Sequence, residues 1–370
     1  MKWRKDDLFL DSIVGQLGRK EYIESEKITN ELLNLTRSAV VTGLGIYIPE
    51  KMLTNEDIEQ MLNRPGTADW LVKNVGIRQR HIMAEDEVTS DLAANASRET
   101  LEKAGVDAED LDLIILSTDT PDYVSPATSV VVQDKIGAKN AGTFDVNCAC
   151  AGLVTSLDIA SKYIQTDSEM NSILVIGAYG MTKFVDWTDH YTCTLFADAA
   201  GAMVLQARED KEGFITSKLI ADGSFHDHLG VFVGGTAEPP TIEAIKNNRH
   251  HLAFRKRFPA DTNLQHWPVL TRECVAKANM TMDDIDWIFF TQVNLRTIEA
   301  VMKELDMPME KTHNVMDKWG YTGSACIALA MYDAIHQGKL PPPGEGNGEN
   351  IALCSSGGGF NMAAAILKWW

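Results

Sequence analysis

Cys148 and Cys150 lie in Asn147-Cys-Ala-Cys-Ala-Gly152, and what a thiol can do there depends on its flanks. The preceding Thr143–Val146 stretch is short and apolar at Phe144 and Val146, while Leu153, Leu157, Ile159, Ala160 and Ile164 follow close to a helical period. The pattern predicts a strand, a tight small-residue turn and a helix over residues 143–164, with a cysteine at or near the helix N-terminus. Free backbone N–H groups and the helix dipole favour the thiolate there and lower the thiol pKa. Such a thiolate can accept an acyl group. The competing reading is a buried structural thiol, since free cysteine is among the most buried residue types. The C-x-C spacing is tighter than the usual C-x2-C zinc pair, and no second Cys/His pair has zinc-site spacing, so no metal is expected.

The elements that would hold this turn repeat along the chain. Leu111–Leu116 and Ser172–Ile176 are continuous apolar runs, the pattern of buried parallel strands. Asp110-Leu-Asp112 followed by LIILST recurs as Asp284-Ile-Asp286 followed by WIFFTQ. FDVNCACAGLVTSLDIASKYI has a counterpart in HNVMDKWGYTGSACIALAMYDAI, and NSILVIGAYG has one in ENIALCSSGGG. Order, residue character and an offset near half the chain agree in three places, which predicts a duplicated βαβ-rich unit. The expectation is an α/β chain of two mostly parallel sheet-and-helix halves, residues 39–210 and 211–370, with the seam in the charged stretch 207–218. Sites in such sheets sit at strand C-terminal ends. Residues 1–38 are polar and helix-prone and predict a helical N-terminal extension.

The chain has 370 residues, 45% of them hydrophobic and 23% charged, which is ordinary for a soluble protein. Its net charge of −18 argues against a nucleic-acid binder. Six cysteines without disulfide-framework spacing suggest reduced thiols and a cytoplasmic location. No run approaches the ~18 apolar residues of a membrane span. Arg249, Arg255, Lys256 and Arg257 form a basic island in this acidic chain, readable as a solvated helix face or as a landing site for an anionic carrier or coenzyme phosphate.

The markers VVTGLGIYIP, Trp70 with GIRQRHI, DVNCACAGL, ADAAGA, ADGS at 221–224, TQVNLR, GYTGSA and GGGFNMA resemble, in order, the thiolase superfamily. They are most similar to 3-oxoacyl-acyl-carrier-protein synthase III, over about Ala39 to Trp370. The resemblance implies a five-layered thiolase-like fold, a homodimer and no permanently bound cofactor. It also implies a substrate carried on coenzyme A or on the phosphopantetheine of an acyl carrier protein. It places the nucleophile at Cys150. The family's histidine position holds Thr291 and its asparagine position holds Tyr321, so two of its three catalytic residue types are replaced. Trp70 matches a tryptophan that stacks on the coenzyme adenine, Asn74 stands where the family has a basic residue, and Asn294 and Arg296 fall near the tunnel mouth where the carrier docks.

Malonyl decarboxylation leaves an enolate that the His/Asn pair stabilises, and losing one such donor costs ~10²–10³ in rate. Thr and Tyr hydroxyls still donate hydrogen bonds. Acyl transfer to Cys150 needs a thiolate and an oxyanion hole, for which the N–H groups of Cys150 and of the Gly357-Gly358-Gly359 loop are the candidates. His190 and His313 are candidate substitute bases by sequence proximity alone. The expected activity is acyl transfer from a thioester through Cys150 to a second substrate, by C–C condensation or by heteroatom acylation. The alternatives are a silent partner of an active synthase, in which Tyr321 fills the second substrate's position, and a non-turnover acyl-carrier-binding module.

Overall fold

The computed structural model describes residues 37–370, so the expected N-terminal extension falls, up to residue 36, outside the described residues, and Ser38 already opens the first strand. The first half runs β1 (Ser38–Tyr47), α1 (Thr89–Ala104), β2 (Leu113–Ser117), α2 (Thr128–Ile136), β3 (Gly142–Val146), α3 (Gly152–Thr166), β4 (Ser172–Tyr179) and β5 (Ala199–Arg208). The second half runs β6 (Phe214–Ala221), α4 (Thr262–Lys277), β7 (Trp287–Phe290), α5 (Leu295–Glu304), α6 (Cys326–His336), β8 (Glu349–Gly357) and β9 (Asn361–Trp369). Shorter helices and two small ribbons fill the connections.

The strands form two sheets, ordered β1-β5-β4-β2-β3 and β6-β9-β8-β7. They superpose in logic: β4–β5, β1–β5, β8–β9 and β6–β9 are antiparallel, whereas β2–β4 and β7–β8 are parallel. The α/β class and the internal repeat hold, but the sheets are mixed rather than mostly parallel. The second sheet has no counterpart of β3, because the short helix Met316–Trp319 occupies that stretch of the repeat. Helix α1 covers the outer face of the first sheet, with α2 beside it. Helices α3 and α6 contact strands of both sheets, and α4, with α5 against it, covers the far face of the second. The result is five alternating layers, with the apolar faces of α3 and α6 in the centre.

The repeated aspartates have a shared structural task. Asp112 Oδ2 accepts the N–H groups of Asn171 and Ser172 at 2.6 and 2.9 Å. Asp286 Oδ2 accepts Asn350 N–H at 2.9 Å. Each aspartate's own N–H donates to the same strand start, Ser172 O and Asn350 O. They tie each parallel strand to the entrance of its neighbour and so fix register, since a one-residue slip would turn every side chain over. Asp112→Ala is expected to cost about 1–2 kcal/mol and Asp286→Ala about half of that, read from urea unfolding midpoints of the two variants.

Candidate active site

The nucleophile turn is built by close backbone approaches. β3 ends at Val146, Ala149 adopts the left-handed region at φ 47°, Ala149–Ala151 form a 3-10 turn, and α3 begins at Gly152. A non-glycine residue at positive φ is a strained position that neighbours must hold in place. The neighbours are tight. A Cβ at Gly152 would lie 1.8 Å from Ser117 Oγ, and one at Gly357 would lie 2.6 Å from Cys148 O and 2.8 Å from Cys150 N. Only glycine lets α3 start against the end of β2, and only glycine lets the end of β8 run beside the Cys150 amide.

Cys150 is buried on the wall of a cavity of about 660 Å³ shared with Asp119, Asn147, Tyr179, Tyr321, Gly357 and Phe360. Its thiol sits at the helix N-terminus as the sequence predicts, but its ionisation does not follow that prediction. Burial, and next the charge of Asp119, push the thiol well above its ordinary pKa. A hydrogen bond from Tyr321 and its own backbone N–H pull the other way and do not overcome this. The resting group is therefore a thiol rather than a thiolate.

Tyr321 is buried and fixed on both sides. Its N–H donates to Leu195 O at 3.1 Å, its carbonyl accepts Ala197 N–H at 2.9 Å, and its ring packs 5.6 Å from Phe196 and 6.4 Å from Tyr179. Burial holds its hydroxyl protonated, so it serves as a donor beside the sulfur. Thr291 is placed differently. It is fully buried, takes no place on the cavity wall, and its Oγ1 accepts Ser356 N–H at 3.0 Å. It braces β8 rather than facing the thiol. The glycines Gly357, Gly358 and Gly359 all line the cavity.

A second cavity of about 970 Å³ abuts the first, the two sharing Leu195, Phe254, Phe258, Pro259 and Ala260. Trp70, Arg255, Lys256 and Arg257 stand on its wall with His190 and Tyr191. The basic island is partly neutralised. Arg249 and Arg255 both bind Glu238, Lys256 pairs with Asp227 at 2.6 Å, and Arg257 donates to Tyr191 Oη at 3.1 Å. Arg249 does not reach the cavity wall, a correction to its place in the site. Asn294 is also corrected: it caps α5, accepting Thr297 N–H at 3.2 Å and donating to Asn74 O. Arg296 is exposed on the first turn of α5 and lines neither cavity. His313 is buried away from both cavities, with Nε2 2.6 Å from Asp333. Among the described residues no group of three or more His, Cys, Asp or Glu side chains is placed to hold a metal ion.

Asp119, Tyr179 and Phe360 were not legible as site residues. Asp119 and Tyr179 carry one shared signal, a place at or just past the C-terminal end of a buried strand.

Residues 144–223 match the family described as 3-oxoacyl-[acyl-carrier-protein (ACP)] synthase III, and residues 275–369 match that family's C-terminal part. A beta-ketoacyl-[acyl-carrier-protein] synthase III of Xanthomonas campestris pv. campestris is 38% identical over 333 residues, covering 89% of this chain and 98% of its own. The chain belongs to the synthase III family. Among solved structures, the Aquifex aeolicus 3-oxoacyl-[acyl-carrier-protein] synthase III aligns with a TM-score of 0.79 at 31% identity, covering 90% of this chain and all of that one. The priming beta-ketosynthase of the R1128 polyketide pathway aligns at 0.79 and 27%, covering 90% and 96%. As a synthase III, the chain is an acyltransferring, condensing enzyme of the thiolase fold, the class within which its own site must be read.

Tyr321→Phe leaves the fold intact and removes the hydroxyl that favours the Cys150 thiolate. The expected outcome is a fall of about three- to tenfold in Cys150 alkylation by iodoacetamide at pH 8, followed by peptide mass spectrometry with Cys148 as internal control. In both proteins Cys150 labelling should climb through pH 9 without a plateau near neutrality, because the folded thiol is raised.

Proposed function

We propose that this synthase III takes an acyl group from a coenzyme A or carrier-bound thioester onto Cys150 and passes it to a second substrate. The observation that carries this is the Cys150 sulfur on the wall of a partly apolar cavity, with Tyr321 as donor and glycine backbone opposite. With Thr291 off the cavity wall and bonded to Ser356 N–H, the family's pair of enolate donors is represented at the sulfur by Tyr321. That favours acylation of an acceptor over decarboxylation of a malonyl thioester.

The outer cavity fits the donor's handle. Trp70, 56% exposed, offers a ring face for an adenine, and Arg255, Lys256 and Arg257 surround the approach with positive charge suited to phosphates. The same surface suits the phosphopantetheine of an acyl carrier protein. A homodimer is part of this reading. β3 is an outer strand with an open edge, and the nearby loop exposes Tyr123 and Val124, features that a second copy would cover. No described helix is long and apolar enough to cross a membrane, and a cytoplasmic location fits the six free cysteines.

The decisive experiment is intact-protein mass after incubation with acyl-CoA and acyl-carrier thioesters of two to sixteen carbons. Wild type should gain one acyl mass and Cys150→Ala none. Absence of any adduct in wild type would overturn the reading. Arg257→Ala should raise KM for the reactive acyl-CoA up to about fivefold with kcat little changed, the difference shrinking in ~0.5 M salt because exposed charges are screened.

A further inference from the structure

The inner cavity holds a second reactive group besides the thiol. Its titratable wall consists of Asp119, Cys150, Tyr179, Tyr321 and His226. Burial holds Cys150, Tyr179 and Tyr321 in their neutral, protonated forms at pH 7, so none of them can accept a proton. His226 is an exposed residue at the rim, on the turn that follows Gly223–Phe225. Asp119 remains as the carboxylate that feels the sulfur, and burial pushes it up to about 6. One edge of the residue faces the cavity, while its Oδ1 is buried and has no hydrogen-bond partner. A buried carboxylate oxygen left unpaired is costly, which makes it a candidate for function rather than packing.

The loop that presents Asp119 is clamped on both sides. Thr118 N–H donates to Val146 O at 3.2 Å, Thr120 N–H donates to Thr118 Oγ1 at 3.1 Å, and Thr120 Oγ1 accepts Gly180 N–H at 2.9 Å. Thr89 Oγ1 adds a bond to Thr120 O at 2.6 Å. Both threonines are buried, so the carboxylate between them is held at the end of β2, facing the same cavity as Cys150.

We propose that Asp119 is the acid–base group of the acyl transfer, moving the proton in both half-reactions. The proposal rests on the acyl-transfer reading above. In the first half, the Asp119 carboxylate takes the Cys150 thiol proton as sulfur attacks the donor carbonyl. The new C–S bond forms, the donor's C–S bond breaks, and the departing pantetheine thiolate leaves with that proton. In the second half, Asp119 takes the proton of the attacking O–H, N–H or S–H acceptor and returns it to Cys150 sulfur as the thioester breaks. No oxidant or reductant enters, and the carboxylate is regenerated after each half. A base with a pKa near 6 suits work near neutral pH, where it is mostly ionised yet still able to hold a proton transiently. This also answers the raised thiol: the proton leaves Cys150 during attack, not before it.

The test is isotopic exchange between octanoyl-CoA and deuterated coenzyme A, with acetyl-CoA run in parallel, from pH 5 to 8.5. Wild type should show an acid limb near pH 6. Asp119→Asn should lower exchange by about 10²–10⁴-fold and abolish that limb, and Asp119→Ala should recover rate when formate is added. The other groups around Asp119 do not produce this pattern. Cys150, Tyr179, Tyr321 and Cys326 titrate far above the range, and Asp198, also near 6, is held by Met83 N–H and by the Thr182 N–H and hydroxyl, off the cavity wall. A limb due to Asp198 would persist in Asp119→Asn. Full exchange with an unchanged limb in Asp119→Asn overturns the inference alone, as does loss of the limb in His226→Gln but not in Asp119→Asn. Absence of both exchange and adduct in wild type overturns the acyl-transfer reading and this inference with it.

Discussion

The site depends on a thiol placed where backbone from both halves of the duplicated fold meets. Cys150 closes one side of that meeting point, and Gly357, at the end of β8 in the other sheet, packs against its amide with no room for a side chain. Gly152 lets α3 begin directly against Ser117 at the end of β2. Ala149 absorbs the resulting geometry in a left-handed conformation. Relaxing any one of these contacts would move the sulfur relative to the N–H groups around it, and interiors packed this closely have few alternative arrangements.

That placement has an electrostatic consequence. A helix N-terminus favours a thiolate, but a sulfur buried beside Tyr321, Tyr179 and backbone loses much of the solvation a thiolate needs. Desolvation is the larger effect, so the neutral thiol rests in the site. The same burial strengthens each remaining polar contact, since hydrogen bonds and charges act more strongly at low dielectric. Tyr321 gains from this, because its hydroxyl stays protonated and keeps a proton to donate toward the sulfur or an acyl oxygen. The packing of Phe196 and Tyr179 against the Tyr321 ring holds that hydroxyl in place.

Much of the frame was legible because strand burial and the Asp112/Asp286 repeat leave periodic, local signals. Parallel and antiparallel neighbours were not separable, since a strand buried on both faces reads as one apolar run whichever way its neighbour points. At the site, Cys150 and Tyr321 were legible by position within motifs. Thr291 was misplaced because its position says nothing of its rotamer, and the free Ser356 N–H that captures its hydroxyl lies across the neighbouring strand. Asn294 shows the same limit at a helix start, where an amide with an orphan N–H three residues ahead becomes a cap. The basic island was read without its acids: Glu238 and Asp227 are distant in sequence from the charges they neutralise.

The two halves also show how a duplicated frame supplies unlike groups to one site. In the first, the turn before α3 presents a thiol. In the second, the matching turn Gly323–Ala325 presents no thiol, and Cys326, which opens α6, has a sulfur that accepts Gln292 N–H at 3.4 Å and is buried off both cavity walls. What the second half contributes is Tyr321, upstream of that turn. The strand corresponding to β3 is replaced by Met316–Trp319, and the chain then returns through Gly320, at φ 72°, to bridge Phe196. An edge strand there would have carried the chain along the second sheet. The short helix turns it back toward the first, which is why the hydroxyl from one repeat meets the sulfur from the other. The asymmetry between the sheets is therefore what joins the two halves into a single site.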